Sequence, residues 1–441
     1  MANNVQQAWG RYRSVPLIYR IAAAFVLGSI VGLVFGEPAT NLQPLGDLFV
    51  RLLKMVIVPI VVFTLVMAAR HLSPKNLGKI GGEVVALYLL TTMIAIAVGL
   101  GVANLINPGV GIHLPQNAHV DPGQAPPLMD VLLNIVPENP INAMAEGKML
   151  GIIFFALVFG VGLTVVRDEA EPGSTLESGV EDIFDSVEVC TEVMFKVVWG
   201  VMEYGVIGVF ALMAALFGEI GIDAIASLFK LCAALAIAIA IQMSVVYFLI
   251  ILMGLVRKSP FDFVEGSRDA MMTALSIRSS SGTLPVTMSN ADENLGIEDD
   301  VYSFSLPLGA TINMDGTAMY LGIAAIFAAN VVGKSLTFTE QLSVLLTALL
   351  ASIGTAGVPG ASLIMMTVVF QQVGLPLAPI AMVAGVDPLL DRLRTMNNVT
   401  GDLAVTTLVA KWNDAIDFST GVWTDGDAGM GDVPTAAKTD D

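Results

Sequence analysis

Charged side chains are scarce in this sequence. Asp, Glu, Lys and Arg make up 14% of the 441 residues, whereas 55% are hydrophobic. A soluble domain carries about 25% charged residues, because its surface must be hydrated. The composition therefore argues against an ordinary soluble protein and indicates that much of the surface faces lipid.

Cysteine and histidine are also rare. Cys190 and Cys232 both lie in apolar segments, and their spacing fits neither a metal site nor a disulfide framework. The three histidines, His71, His113 and His119, fall in predicted loops. Because the buried serines have no evident base, a membrane enzyme is a weak alternative, and no organic cofactor is expected.

Positive charge is in short supply as well. The chain has 21 Lys and Arg against 39 Asp and Glu, which gives a formal net charge of −18. Acidic residues concentrate in predicted loops at 168–185 and 289–300 and in the C-terminal segment. This balance argues against recognition of nucleic acid or of anionic lipid. The segment 412–441 is predicted to be an acidic, disordered tail.

Long hydrophobic runs are what the sequence has instead. A spanning helix needs about 20 apolar residues, and eight runs qualify: 17–36, 45–69, 83–106, 128–166, 186–217, 222–256, 301–331 and 376–411. Two further apolar stretches, 268–290 and 340–371, contain Ser, Gly, Thr and Pro, which predicts re-entrant hairpins. The predicted fold class is an all-α integral membrane protein with eight transmembrane helices and two re-entrant helical hairpins.

Basic residues indicate the orientation in the bilayer. They flank alternate ends of the predicted spans: Arg11, Arg13, Arg20, Arg70, Lys75, Lys79, Arg257, Lys258 and Lys411. Since cytoplasmic flanks are enriched in Lys and Arg, both termini are predicted to be cytoplasmic in a multi-pass cell-membrane protein. The first run lacks a small-residue cleavage site, so we interpret it as an anchor and not as a removed signal peptide.

Polar residues interrupt the last hydrophobic run. At about 100° per residue, one helix face collects the following residues: Asp387, Asp391, Arg394, Thr395, Asn398 and Asp402. Three carboxylates outnumber the one arginine on this face, so a further cation is expected there. Salt bridges that join helices are the alternative. Arg392 lies off this face, and its role stays open at this point, with a structural or interfacial ion pair as the favoured interpretation.

Three more polar segments lie at membrane depth. Asn313, Asp315 and nearby glycines predict local unwinding within 301–331, and the freed oxygens suit a small cation such as Na⁺; a simple glycine kink is the alternative. Segments 279–285 and 352–359 each carry Ser-x-Gly-Thr and a following proline. Such paired breaks indicate a transporter's binding site, whose helix ends offer N–H groups to a carboxylate; two similar surface loops are the alternative.

Four motifs carry a resemblance to a known family: RSSSGTLP (278–285), GATINMDGTAMY (309–320), ASIGTAGVPGA (351–361) and DPLLDRLRTMNNVTGD (387–402). Together they resemble the dicarboxylate/amino acid:cation symporter family, the glutamate transporters. The close match covers about 266–411, and the N-terminal half is supported mainly by its predicted spans. A channel is a weak alternative, because the polar residues cluster at one depth and do not line a continuous pore.

The resemblance implies an elevator-type transporter with inverted repeats that assembles as a homotrimer. A trimerising scaffold would comprise 1–81 (spans one and two) and 108–221 (spans four and five). A mobile transport domain would comprise 82–107 (span three) and 222–411 (spans six to eight and both hairpins). The tail from 412 would belong to neither.

The resemblance also implies a site for an acidic amino acid. Asp391 would pair with the α-ammonium group and Arg394 with the side-chain carboxylate, which a guanidinium binds bidentately. The other implied residues are Ser279, Ser280 and Asn398 for the α-carboxylate, Thr317 and Thr395 for polar contacts, and Arg278 and Val358 for backbone carbonyls.

Three sodium sites follow from the same resemblance. The first comprises Gly309, Asn313, Asn398 and Asp402; the second comprises Thr311, Ser352, Ile353 and Thr355; the third comprises Tyr88, Thr91, Thr92, Asn313 and Asp315. Animal members carry a titratable Glu just after the NMDGTAxY motif, where this chain has Leu321, so no proton or potassium coupling is expected through that position. Sodium-coupled uptake of aspartate or glutamate is the predicted function, and a proton-coupled glutamate or C4-dicarboxylate carrier of the same family is the alternative.

Overall fold

The computed structural model describes residues 15, 17–70, 78–111, 133, 136–220, 223–353, 355 and 360–424. These residues are almost entirely helical, and their β-structure is one isolated bridge between Ile297 and Ile416. The α-helices in chain order are α1 (Leu17–Phe35), α2 (Gln43–Ala69), α3 (Lys79–Ile106), α4 (Pro140–Glu146), α5 (Met149–Glu169), α6 (Thr175–Ile220), α7 (Asp223–Ile241), α8 (Pro260–Ile277), α9 (Ser280–Ser289), α10 (Asp299–Ile312), α11 (Asp315–Val331), α12 (Phe338–Ile353), α13 (Ala361–Gln372) and α14 (Ala378–Trp412). Helix α7 continues as a π-helix over Gln242–Val256, and α9 continues as a π-helical turn over Asn290–Asn294.

Apolar length makes this a multi-pass membrane protein. In the described part of the chain, five helical stretches are long and apolar enough to cross a bilayer: Lys79–Ile106, Gly151–Glu169, Thr175–Gly218, Ile225–Val256 and Asp299–Val331. Shorter apolar helices cover Tyr19–Phe35, Val58–Ala69, Phe338–Ile353 and Ala361–Gln372. Helix α14 is not in this set because its polar face lowers its hydropathy.

Helices α1, α2, α5 and α6 pack against one another as a first group. Small residues let α1 approach α6 at backbone distance: a Cβ placed on Gly28 would lie 2.4 Å from the Phe210 carbonyl oxygen, and one on Gly32 would lie 2.5 Å from that of Ala214. Close approach of this kind supports helix association in lipid, where apolar burial between helices has little driving force.

The acidic segment 168–185 is only partly a loop, contrary to our expectation. Helix α6 begins at Thr175 and runs for 46 residues. Its first turns are held by arginines from the neighbouring helices: Arg70 lies 2.6 Å from Glu181, Arg167 lies 3.2 Å from Glu181, and both guanidinium groups lie over the ring of Phe184. The carboxylates therefore face basic partners, and the segment can be helical.

Helix α4 packs against α5, whereas α3, α7–α10, α12 and α13 pack around α14 and α11 as a second group. Helix α11 is buried along almost its whole length. Asn313 and Met314 have non-helical backbone angles and separate α10 from α11, which confirms the predicted interruption of the run 301–331. A similar interruption at Arg278 and Ser279 separates α8 from α9. Most of the corresponding tip between α12 and α13, residues 354 and 356–359, lies outside the described residues.

The prediction of a disordered tail from residue 412 is wrong for residues 413–424. This segment folds back over the second group of helices: Glu298 N–H donates to the Ala415 carbonyl at 3.0 Å, and the Trp423 indole N–H donates to the Leu295 carbonyl at 2.9 Å. The Trp423 side chain is buried. The aromatic and apolar residues of segment 413–424 bury against the helices, although the acidic composition of the whole tail predicted disorder. Residues 425–441 lie outside the described residues.

Candidate functional site

Arg394 lies at the centre of the polar face of α14. Its side chain is fully buried, and its two terminal nitrogens donate to Asp387 Oδ1 at 2.8 Å and Asp391 Oδ1 at 2.7 Å. The guanidinium carbon lies 3.9 Å from the ring centroid of Tyr320, and the Tyr320 hydroxyl donates to Asp387 Oδ1 at 3.0 Å. Two carboxylates and an aromatic face therefore stabilise the positive charge of this buried guanidinium.

Two polar atoms of this cluster are left over. Asp391 Oδ2 and Arg394 Nε are buried and have no hydrogen-bond partner among the described residues. Arg278 comes within ion-pair range of Asp391 Oδ2, at 3.8 Å. Buried polar atoms are nearly always satisfied, so this acceptor and this donor are candidates to bind a water, an ion or a substrate.

The break between α8 and α9 brings a second set of polar groups to this region. Arg278 ends α8 in the left-handed conformation, at φ 58°. Ser279 caps α9 and accepts from Gly282 N–H at 3.0 Å, and Ser280 is buried in the first turn. The N-terminus of α9 therefore directs its positive dipole end toward the tip of this helix pair.

Arg392 differs from the ion pair that we expected. Its guanidinium donates to the carbonyl oxygens of Leu275 at 2.6 Å and Ser276 at 3.0 Å. These are among the last carbonyls of α8, which have no partner within the helix, and a cation at a helix C-terminus stabilises it. Arg392 thus joins α14 to α8 near the tip.

Asn398 connects α14 to the start of α11. Its side-chain oxygen accepts from Gly316 N–H at 2.7 Å. A Cβ on Gly316 would lie 2.7 Å from the Arg394 carbonyl, so only glycine permits this approach. Thr317 follows as a buried residue, and Thr395 is buried with its hydroxyl donating to the Asp391 carbonyl at 2.8 Å.

Asp315 lies at the break between α10 and α11, surrounded by neutral donors. Thr92 Oγ1 lies 2.5 Å from Asp315 Oδ1, and Tyr247 Oη lies 2.7 Å from Oδ2. Thr91 Oγ1 donates to Asn313 Oδ1 at 3.2 Å and approaches Asp315 Oδ1 at 3.5 Å. Thr91 and Thr92, both predicted for the third sodium site, therefore meet Asp315, and Asn313 of the same predicted site contacts Thr91.

Asp402 is a second buried carboxylate on the other side of Asn313. Asn313 Nδ2 donates to Asp402 Oδ1 at 2.9 Å, while the Tyr88 hydroxyl donates to the Ser305 carbonyl at 3.0 Å. A Cβ on Gly309 would lie 2.6 Å from Asp402 Oδ1 and 2.7 Å from Tyr88 Oη. The absence of a side chain at Gly309 allows both groups to come close to the α10 backbone.

The residues predicted for the second sodium site lie at the ends of α10 and α12. The hydroxyls of Thr311, Ser352 and Thr355 donate to carbonyls of their own segments, those of Leu308, Leu349 and Ala351. Ile353 is the last residue of α12. Val358, predicted for substrate binding, lies outside the described residues.

Several site residues were not among those predicted. Asp387 had been placed on the polar face without a role, and Tyr320 stood inside a quoted motif without one. Gln242 Nε2 lies 3.4 Å from Asp315 Oδ2, and Asn397 Nδ2 lies 3.3 Å from Tyr247 Oη. A polar residue in an apolar run was the available signal for Gln242 and Asn397. Tyr247 gave none, because tyrosine is ordinary in such a run.

The described site residues thus form two neighbouring clusters, a charged one on Arg394 and an acidic one on Asp315 and Asp402. The sequence matches the sodium:dicarboxylate symporter family over residues 17–412. The chain belongs to this family. It is therefore a transport protein of the symporter class and not an enzyme.

Individual symporters are similar over most of the chain. A proton/sodium-glutamate symport protein of Geobacillus stearothermophilus is 33% identical over 91% of this chain and 95% of its own length. A proton/glutamate-aspartate symporter of Escherichia coli (strain K12) is 32% identical over 91% of this chain and 94% of its own length. A C4-dicarboxylate transport protein 2 of Pseudomonas paraeruginosa is 31% identical, with 92% of each chain covered. The similarity includes both helix groups of this symporter.

Proposed function

We propose that this protein is a sodium-coupled symporter of an acidic amino acid, L-aspartate, L-glutamate or both, in the cell membrane. The proposal assigns substrate binding to the Arg394 cluster and cation binding to the Asp315 and Asp402 cluster. Relatives named for glutamate and for glutamate and aspartate support the substrate class. Relatives named for C4-dicarboxylates support the alternative, a dicarboxylate carrier of the same family.

The pair of unpartnered atoms on Asp391 and Arg394 carries the substrate proposal. A free carboxylate oxygen is an acceptor for an ammonium group, and a free guanidinium N–H is a donor for a carboxylate. An acidic amino acid carries both groups, whereas a C4-dicarboxylate has no ammonium. Binding of the substrate carboxylate would exchange one of the pairs that Arg394 makes with Asp387 and Asp391. The tip of α9, with Ser279 and Ser280, would supply N–H and hydroxyl groups to the α-carboxylate.

Two buried carboxylates carry the proposal of cation coupling. Asp315 and Asp402 are buried, and within the described ranges neither lies within 4.0 Å of a Lys or Arg nitrogen. Charge in such an environment requires a compensating cation. The surrounding groups are carbonyl, hydroxyl and amide oxygens, which are the hard ligands that Na⁺ prefers. The name of one relative contains both proton and sodium, so a proton carried on these carboxylates is the competing mechanism.

Uptake by reconstituted protein tests the coupling ion. Liposomes containing the purified protein are loaded in potassium buffer, and labelled L-aspartate uptake is measured under an inward Na⁺ gradient and, separately, under an inward proton gradient without Na⁺. We expect accumulation with Na⁺ alone. Accumulation with protons alone would retain the substrate assignment and overturn the sodium assignment, while empty liposomes serve as the control.

An Asp391→Asn variant tests the substrate class. The substitution removes the charge that would neutralise the substrate ammonium, so we expect aspartate uptake to fall by about 100-fold or more. Competition by succinate, which lacks the ammonium, should change far less. If the wild-type protein transports succinate at a rate equal to that of aspartate, the chain is a C4-dicarboxylate carrier and the amino acid assignment fails.

The family membership also supports a larger architecture. In the proposal, 1–81 and 108–221 form a trimerising scaffold, and 82–107 and 222–411 form a transport domain that moves as an elevator. Eight helices span the membrane, two hairpins re-enter it, and both termini are cytoplasmic. The separate packing of α1, α2, α5 and α6 from the helices around α14 supports this division.

A further inference from the structure

A basic cavity lies where the π-helical end of α7 meets the start of α8. It has a volume of about 950 Å³, and Arg257 and Lys258 contribute to its wall. Lys411, at the end of α14, donates to the carbonyls of Leu255 and Val256, the two residues directly before Arg257. Three cationic side chains are therefore concentrated at one end of the helix bundle, in a chain whose formal net charge is −18.

Apolar residues, two of them well exposed, also line this cavity. Phe248, Met253, Phe261 and Val264 line it, and Phe261 is 85% and Met253 54% exposed. Phe261 lies in the first turn of α8, which Ser259 caps, so its exposed ring stands next to the basic residues. An exposed apolar ring beside basic side chains suits the boundary between headgroups and acyl chains, because the ring can be buried among the acyl chains while the charged groups reach the headgroups.

The chain itself covers only part of the basic surface. Lys258 Nζ lies 4.9 Å from the ring centroid of Phe418, and Trp423 forms part of the cavity wall. Among the described lining residues Asp262 is the single carboxylate, and it lies in the first turn of α8, where the helix dipole accommodates it. Arg257 is exposed, and with Lys258 it outnumbers Asp262 in this described lining, so the local charge is opposite in sign to the net charge of the whole chain.

We infer that this cavity binds the headgroup of an anionic phospholipid, with the phosphate on Arg257 and Lys258 and an acyl chain along Phe261 and Met253. Basic pockets beside membrane helices bind such headgroups, and the cytoplasmic leaflet, where the proposed orientation puts this end, carries anionic lipid. An acidic peptide would match the positive charge but not the apolar wall. The lipid would hold the α7–α8 junction and the folded segment 413–424 at the membrane surface.

Native mass spectrometry of the purified full-length protein tests the inference. The protein is titrated with dioleoyl phosphatidylglycerol and with dioleoyl phosphatidylcholine. We expect it to retain the anionic phosphatidylglycerol selectively. In the double variant Arg257→Gln/Lys258→Gln, retention should weaken about 25-fold, because each basic residue near an anionic surface contributes roughly a factor of five. The single variant Lys258→Gln should weaken it about fivefold and keeps the test valid if the double variant does not fold.

Two matched controls separate a specific site from general attraction. Lys79→Gln removes one positive charge, as Lys258→Gln does, at a residue outside the cavity. Lys79 lies at the same end of the helix bundle, because Glu83, one turn further along α3, contacts Asn413. Lipid retention should be unchanged in this variant. Phe261→Ser should weaken retention of the dioleoyl lipid and not of dihexanoyl phosphatidylglycerol. Unchanged retention in the double variant, or equal loss with Lys79→Gln, would overturn the inference.

Two other occupants have distinct outcomes. If inorganic phosphate displaces the dioleoyl lipid as readily as dihexanoyl phosphatidylglycerol does, the cavity is an anion site and not a lipid site. If retention emerges only after Asp425, Asp427 and Asp432 are changed to Asn, the cavity belongs to the chain's own acidic segment. Either result would overturn the assignment to lipid.

Discussion

At the scale of single residues, Arg394 is a fully buried charge with partners on two helices. Asp387, Asp391 and Tyr320 surround it, and its own helix supplies both carboxylates. A buried guanidinium is costly unless it is paired, and two carboxylates pair it here. A carboxylate of a substrate could take the place of one of them at the guanidinium. The two salt bridges of Arg394 lie within α14 and do not join helices, so they differ from the alternative expected for this face, and they are compatible with a binding role.

An Arg394→Cys variant should lose acidic substrates. Without the guanidinium, Asp387 and Asp391 repel the side-chain carboxylate of the substrate, so we expect aspartate uptake to fall by at least about 100-fold. Uptake of a neutral amino acid such as serine should appear or rise. Uptake of both substrates into liposomes measures this. Arg268→Cys, at an exposed position of α8, is the control. Aspartate affinity that is unchanged in Arg394→Cys would contradict the assignment.

An Asp402→Asn variant should weaken the dependence of transport on sodium. Asparagine preserves the size of the side chain, but it removes the negative charge that Asn313 and the Gly309 backbone lie against. Since cation affinity follows the charge of the ligands, we expect the sodium concentration for half-maximal uptake to rise roughly tenfold. The measurement is aspartate uptake against sodium concentration. An unaltered curve would remove Asp402 from the cation site.

At the scale of helices, small residues decide how closely elements approach. Gly28 and Gly32 lie one turn apart on α1 and face the backbone of α6. Breaks serve a different purpose: at Asn313–Met314 and at Arg278–Ser279 they free backbone groups in the interior of the helix group. The first feature stabilises packing in lipid, and the second provides polar groups at membrane depth.

A Gly32→Leu variant should destabilise the contact between α1 and α6. A Cβ at this position would lie 2.5 Å from the Ala214 carbonyl and 2.7 Å from Gly218 N, so the helices must separate. Overpacking of this kind costs about 1–3 kcal/mol, which should lower the melting temperature in detergent. Gly101→Leu is the matched control, because nothing lies within 4 Å of a Cβ there. Equal melting temperatures for the two variants would refute this account of the contact.

At the scale of the whole molecule, the two groups of helices meet where Gly385 of α14 faces α1. A Cβ on Gly385 would collide with the Phe25 ring, so the two helix surfaces are in close contact at this point. If the second group slides past the first, this contact must open during each transport cycle. The fit can therefore be used to test the elevator proposal.

A cross-link between the two groups should stop transport. In a background of Cys190→Ala and Cys232→Ala, the pair Phe25→Cys and Gly385→Cys should form a bridge with mercuric ion and abolish aspartate uptake, and reduction should restore it. Each single cysteine variant is the control. Uptake that continues in fully cross-linked protein would show that transport does not require relative movement at this contact.

Helical period and local polarity could be predicted from the sequence, because both are properties of neighbouring residues. The polar face of α14, the break at Asn313 and the hydrophobic lengths all follow from patterns within one segment. These patterns, together with the four motifs, were enough to predict a helical multi-pass membrane protein and to name most of the residues that the structure brings together in the two clusters.

Only the tertiary structure determined which residues meet. Tyr247 reaches Asp315 across 68 positions of sequence, Tyr320 covers Arg394 from another helix, and Arg392 bonds the end of α8 instead of a carboxylate. The folding of 413–424 and the helical conformation of the acidic start of α6 also depend on partners far along the chain. Such contacts arise from the packing of distant elements, and a local sequence pattern contains no information about which distant partner a side chain will find.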